Sequence, residues 1–147
     1  MGPFPHDAPP AEISAHNPMG TDGFEFVEFA HPDPAELKAV LARMGFTAVA
    51  RHRSKDVTLY RQGDVNYIVN AEPDSFAAAF AAEHGPCACA MAFRVKDAKH
   101  AYERALSLGA EPYHGKVGPN ELAIPAVRGI GGSLLYFVDR YGDKGSI

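Results

Sequence analysis

The sequence predicts an α+β fold made of two β-α-β-β-β modules that share a curved mixed sheet. Two amphipathic stretches open on Asp and close on Gly, Asp33 to Gly45 and Asp97 to Gly109, and each spans twelve residues. Phe29 and Phe93 each lie four residues before that Asp, so an offset of 64 residues superposes the two halves of the chain. The length of 147 residues, with 46% hydrophobic and 22% charged content, suits a single soluble domain with one core. A duplicated unit of this kind covers one side of its sheet with helices and leaves a concave face on the other. A ferredoxin-like α+β sandwich is the competing topology, and it would use fewer strands than the pattern contains.

The elements follow in order. From Met1 to Pro18 the chain carries five prolines and little periodicity, which predicts a disordered tail over residues 1–18 and a single domain over residues 19–147. The first module covers about residues 24–70. Its strand Phe24–Ala30 leads to the helix signalled by Asp33-Pro34, and three strands follow near Ala48–Arg53, Val57–Arg61 and Asn66–Asn70, with a hairpin marked by Gln62-Gly63-Asp64. A linking helix with Asp74 as cap and Gly85 as stop comes next. The second module covers about residues 87–139: strand Cys87–Val95, the helix from Asp97, and strands near Pro112–Lys116, Glu121–Ile124 and Ser133–Val138.

Charge and targeting features narrow the function classes. Eighteen acidic residues against 14 basic ones give a net charge of −4 without a long run of either sign, so neither nucleic acid nor an anionic membrane is an expected partner. No apolar run approaches the roughly 20 residues that span a bilayer, and no signal peptide is evident, so a cytoplasmic location is expected. Cys87 and Cys89 stand two apart, where a strand points both side chains the same way and a bridge would be strained; they read as buried, reduced thiols.

The residues that could carry chemistry do not assemble into a motif. None of the seven histidines makes a His-x-Glu or His-x-x-x-His spacing, and each reads as solvated or structural. Gly129, Gly131 and Gly132 lead into a strand rather than a helix, which favours an irregular strand connection over a phosphate cradle. In the first strand Val27 and Phe29 suit the helix-covered face, which turns Phe26 and Glu28 toward the concave side; the same parity turns Ala90 and Ala92 inward. Glu28 is then either a buried carboxylate with a structural partner such as Arg, Tyr or a backbone amide, or a general base in a pocket.

Four segments carry a family resemblance: "NPMGTDGFEFVEFAHP", "HRSKDVTLYRQGDVNYIVN", "AAEHGPCACAMAFRVKDA" and "AIPAVRGIGGSLLYFVDRYG". From about Asn17 to Ile147 the chain resembles the amino-terminal domain of bacterial 4-hydroxyphenylpyruvate dioxygenases. These belong to the vicinal oxygen chelate (glyoxalase–bleomycin resistance–dioxygenase) superfamily, whose paired β-α-β-β-β modules agree with the internal repeat. The resemblance implies a parent enzyme of tyrosine catabolism that uses non-haem Fe(II) and O2 to convert 4-hydroxyphenylpyruvate into homogentisate and CO2. It also implies that the iron ligands, two histidines and a glutamate, belong to a second, carboxy-terminal domain with which this one packs, and that the whole forms a homo-oligomer.

Carried over by the superfamily pattern, the ligand-equivalent positions in this chain are Phe26, Ala90 and Tyr136. Phenylalanine and alanine have no donor atom, and an un-ionised tyrosine substitutes poorly for a carboxylate. No residue of this chain is therefore assigned a catalytic, cofactor-binding or metal-ligating role, no cofactor is expected in it, and it is expected to be inactive alone. Two alternatives stand beside this: a free-standing superfamily enzyme with a metal shared across a dimer, and a resistance-type binding protein whose cup is lined by Glu28 and Tyr136. A hydroxymandelate synthase parent would differ in the absent half.

Overall fold

The computed structural model describes residues 11–118 and 121–145. The expected tail over residues 1–10 lies outside the described residues. Residues 11–18 form a closed turn rather than a free tail: Ser14 and Asn17 exchange backbone hydrogen bonds at 3.2 Å, and the Asn17 Oδ1 accepts from the Thr21 backbone N–H at 2.9 Å. Proline content pointed to disorder here, but the Asn17 side chain supplies a local turn partner to Thr21.

Eight strands and three α-helices follow among the described residues: β1 (Thr21–Ala30), α1 (Pro34–Arg43), β2 (Thr47–Arg51), β3 (Val57–Gln62), β4 (Val65–Asn70), α2 (Phe76–His84), β5 (Cys87–Val95), α3 (Ala98–Ser107), β6 (Pro112–Tyr113), β7 (Ala126–Arg128) and β8 (Leu134–Val138). The predicted α+β class and the two β-α-β-β-β modules are both present. The described residues divide into two compact units, one of residues 26–90 and the other of residues 11–25 together with those from 91 onward. The linking helix α2 therefore belongs with the first module, and the start of β1 with the second.

In the first unit the strand order is β2-β3-β4-β1, with β1 parallel to β4 and the other pairs antiparallel. Helix α1 begins where the Asp33 carboxylate accepts from the Ala35 and Glu36 backbone N–H groups at 3.0 and 3.4 Å, and Pro34 occupies the first turn, where its missing N–H costs nothing. Leu41 and Leu37 face Phe46, Tyr60, Tyr67 and Val69. The Phe46 and Tyr67 rings stack at 4.5 Å between centroids, and Phe29 meets Tyr67 edge-on at 4.9 Å. Full burial of Leu41 and Val69 contributes about 1.5–3 kcal/mol each to this cluster.

Gly45 ends the helix at φ +87°, and a Cβ there would stand 2.7 Å from the Gln62 Nε2, which donates to the Met44 carbonyl at 3.0 Å. The Gln62 side chain can swing aside, so it is the left-handed φ that favours glycine here. The β3–β4 hairpin turns on Gly63 and Asp64, with Gln62 paired to Val65 and Gly63 at φ +56°.

Helix α2 is capped by Ser75 rather than Asp74. Its Oγ accepts from the Ala78 N–H at 3.1 Å while its hydroxyl donates to the Glu72 carbonyl at 2.7 Å, a pair of bonds that a carboxylate could not make. Ala77 and Ala81 pack on Ala30 and Cys89, small residues that let the helix lie close to the sheet.

In the second unit the order is β5-β8-β7-β6, and α3 covers Val95, Val127 and Phe137 through Ala98 and Ala101. The Asp97 side chain caps α3 by accepting from the His100 N–H at 2.9 Å, and the Asp139 carboxylate accepts from the Ala98 N–H at 3.0 Å. The sequence placed a strand at residues 121–124, whereas β7 lies at Ala126–Arg128, just after Pro125. Ala126 and Val127 are the buried pair there, while Glu121 turns back to accept from the Gly118 N–H at 2.7 Å. β6 is likewise shorter than expected and ends at Tyr113. The glycine run before β8, Ile130–Gly132, is a kinked turn with Gly131 at φ +67°, and it feeds a strand and no helix. Among the described residues no helix is long and apolar enough to cross a membrane.

Candidate functional site

The sheet face of the first unit opposite α1 follows from register. Glu28 pairs with Ile68 across β1–β4, and Ile68, Asn70 and Asn66 pair with Leu59, Val57 and Arg61 across β4–β3. Alternation along each strand sends Tyr60, Tyr67, Val69 and Phe29 to the α1 cluster, so Phe26, Glu28, Leu59, Arg61, Asn66, Ile68 and Asn70 share the opposite face. The inward parity expected for Phe26 and Glu28 agrees with this.

The chemistry on this face lies in two polar pairs. The Asn70 Nδ2 donates to the Glu28 Oε1 at 2.7 Å, and the Asn70 Oδ1 accepts from the Glu72 backbone N–H at 3.0 Å, so the amide cannot flip without losing both bonds. Burial pushes the Glu28 carboxyl above its ordinary value of 4.5, and the Asn70 bond pulls the other way without offsetting it. Two strands away, the Arg61 Nε donates to the Asn66 Oδ1 at 2.8 Å. The sequence singled out Glu28 but missed its partner. Neither an arginine, a tyrosine nor a backbone amide holds it; the parallel β1–β4 register brings an asparagine from 42 residues away.

The thiols lie close by. The Cys89 Sγ donates weakly to the Glu28 carbonyl at 3.6 Å, and burial, followed by the charge of Glu28, pushes this thiol far above its ordinary value. Cys89 is buried as expected, but Cys87 is only half-buried and lines a shallow recess of about 340 Å³ with Phe29, His31, Leu37 and Pro86. Both thiols are free.

The second unit carries a denser charged network that the sequence did not reveal. Asp22 accepts from the Lys96 Nζ at 2.8 Å and from the Tyr141 hydroxyl at 2.7 Å. Arg94 pairs with Glu25, and the Arg94 and Lys96 cations lie 5.3 and 5.7 Å from the Tyr141 ring centroid. Although partial burial acts against it, the bonds from Lys96 and Tyr141 hold the Asp22 carboxyl below its ordinary value. The network ties the segment after β8 to β1 and β5.

Where their partners are seen, the histidines bond mainly to backbone groups. His31 and His52 accept from backbone N–H groups two residues on, at 2.8 and 3.3 Å, and the His100 Nε2 meets the Pro18 carbonyl at 2.9 Å. His6 lies outside the described residues. Among the described residues no three His, Cys, Asp or Glu side chains come together as a metal cluster. The ligand-equivalent positions hold a buried Phe26 on β1, a buried Ala90 on β5 and a half-buried Tyr136 on β8. These side chains do not fit an Fe(II) centre of two imidazoles and a carboxylate.

Residues 15–147 match the family model described as "Hydroxyphenylpyruvate dioxygenase, HPPD, N-terminal". The chain is 60% identical over 131 residues to the 4-hydroxyphenylpyruvate dioxygenase of Pseudomonas sp. (strain P.J. 874), a match covering 89% of this chain and 37% of that protein. It is 52% identical over 128 residues to the 3-dehydroshikimate dehydratase of Pseudomonas aeruginosa, covering 86% of this chain and 20% of that protein. Among solved structures, a xylose isomerase-like TIM barrel/4-hydroxyphenylpyruvate dioxygenase fusion protein superposes with a TM-score of 0.77 at 44% identity, covering 94% of this chain and 21% of that one. The chain thus spans little more than a third of the dioxygenase it matches. It belongs to the family of hydroxyphenylpyruvate dioxygenase amino-terminal domains.

Proposed function

We propose that this chain is the amino-terminal, non-iron-binding domain of a 4-hydroxyphenylpyruvate dioxygenase, which converts 4-hydroxyphenylpyruvate and O2 into homogentisate and CO2 in tyrosine breakdown. The observation that carries this reading is the 60% identity to such a dioxygenase, confined to 37% of its length. Phe26, Ala90 and Tyr136 support the division of labour, since the first two bring no donor atom and the third only a phenol. In this reading Fe(II) is bound entirely by a carboxy-terminal domain, the present domain packs beside it, and the assembled protein is a cytoplasmic homo-oligomer.

The match to a 3-dehydroshikimate dehydratase favours a second reading, in which the same domain stands beside a different catalytic module. The coding DNA distinguishes the two. An in-frame continuation after Ile147 that supplies two histidines and a glutamate in a second module of this fold is expected; a stop codon there, or a continuation without those ligands, overturns the proposal.

A further inference from the structure

Charge is unevenly spread along this chain. Residues 38–61 hold six of its 14 basic side chains, Lys38, Arg43, Arg51, Arg53, Lys55 and Arg61, but one of its 18 acidic ones, Asp56. That stretch carries +5 while the remainder carries −9. It runs from α1 through β2 into β3, so the positive charge gathers around β2, the terminal strand of the first unit's sheet. Asp56 is already shared, 3.5 Å from the Arg51 guanidinium and 4.0 Å from the Lys38 Nζ. Arg43 and Arg53 are exposed and have no partner among the described residues.

The backbone of β2 is equally uncommitted. All five of its residues are exposed, and among the described residues no strand pairs with its outer side. A second copy of this edge is a poor partner, because pairing β2 with β2 in either direction presses two +5 stretches together. The register shift between Ala48 and Ala50 also twists the edge, which a rigid strand follows badly and a flexible peptide follows easily. Nucleic acid and lipid headgroups fit less well: Phe46 and Tyr60, the aromatic side chains of the stretch, are both buried and cannot stack or anchor.

We propose that the β2 edge is a docking site for an extended acidic segment of a partner protein, added as a strand beside Thr47–Arg51 with an apolar residue against the exposed Val49 and carboxylates against Arg51 and Arg53. Main-chain hydrogen bonds hold the segment, and the cations select it. The site lies wholly within the first unit and does not depend on the identity of the parent enzyme.

The test titrates the full chain with an end-blocked peptide, Thr-Glu-Val-Asp-Val-Glu-Thr, and follows backbone amide resonances by NMR. Saturable binding is expected, with shifts centred on residues 47–51 and an affinity that falls about tenfold when salt is raised to about 0.5 M. The same peptide with both valines replaced by proline keeps its charge but loses two donors, and is expected to bind more weakly. A peptide with lysine at the acidic positions is expected not to bind. Arg51→Glu combined with Arg53→Glu should weaken the acidic peptide about tenfold. Absence of saturation at concentrations of about 10 mM, shifts centred away from β2, or equal binding of the prolyl or lysyl peptide would each overturn the proposal. Tighter binding of oligothymidylate or of phosphatidylserine vesicles would overturn it too, as would shifts at residues 47–51 on concentrating the chain alone. The peptide comparisons use the wild-type chain, so the test stands even if the double variant fails to fold.

Discussion

Asn70 holds Glu28 by a 2.7 Å hydrogen bond across 42 residues of chain, and the same amide is pinned by the Glu72 backbone N–H at 3.0 Å. A buried carboxyl is thereby kept on the sheet face opposite α1 with a neutral amide as its partner instead of a cation. Burial opposes its ionisation more strongly than one amide bond can offset.

A distinct pH dependence follows for Glu28. Its folded value lies above the ordinary 4.5, so the folded state holds the proton more tightly than the unfolded one, and the stabilisation is complete below that value and lost as pH rises through the folded one. Glu28→Gln keeps the amide bond without a titrating group. Urea unfolding of both proteins from pH 4 upward should show the wild type losing ground to the variant as pH rises; a constant difference contradicts the assignment.

Asp22 should behave in the opposite sense. Its folded carboxyl lies below the ordinary 3.8, so its contribution is present above that value and disappears as pH falls through the folded one. Tyr141→Phe removes one charge-assisted bond and is expected to cost about 1 kcal/mol at neutral pH. Asp22→Asn should lose a similar amount, partly recovered in high salt because the ion pair with Lys96 is partly exposed. A cost for Asp22→Asn that persists undiminished below the Asp22 titration would contradict the role given to its charge.

The helix caps make a sharper local test. Asp97→Ala and Ser75→Ala should each cost about 1 kcal/mol, whereas Asp74→Ala, with no cap bond, should stay within about 0.5 kcal/mol of wild type. Equal costs at positions 74 and 75 would show that Asp74 shares the cap.

Thiol labelling tests the burial around β5. Cys87 reaches the shallow recess, but burial raises its thiol above the ordinary 9.0, while Cys89 is fully buried and raised further. Iodoacetamide at pH 8 should modify Cys87 slowly and Cys89 only on unfolding, as read by mass spectrometry. Rapid double labelling of the folded chain contradicts this packing.

Much of the fold was legible because its signals are local. Asp33-Pro34 and Asp97 announce caps, Gly45 and Gly109 announce stops, and the 64-residue spacing between them exposes the duplication. Errors arose where two local signals compete or where partners are remote. Ser75 displaced Asp74 because a hydroxyl can donate and accept at once, and β7 slipped past Pro125 because burial of Ala126 and Val127 outweighs the β-like run before it. For the candidate site, the inward parity of Glu28 was readable from alternation. Its pairing with Asn70, and the linkage of Asp22 to Tyr141 over 119 residues, depend on register and chain path that no single segment encodes.

The central claim, that this domain leaves iron chemistry to another part of its parent, is tested most directly by metal content. The purified chain is incubated anaerobically with Fe(II), desalted, assayed for bound iron, and then given 4-hydroxyphenylpyruvate and O2. Iron far below one equivalent per chain and no homogentisate are expected, because Phe26, Ala90 and Tyr136 cannot supply the ligand set. One tightly bound iron per chain, or homogentisate formed by this chain alone, would contradict the claim.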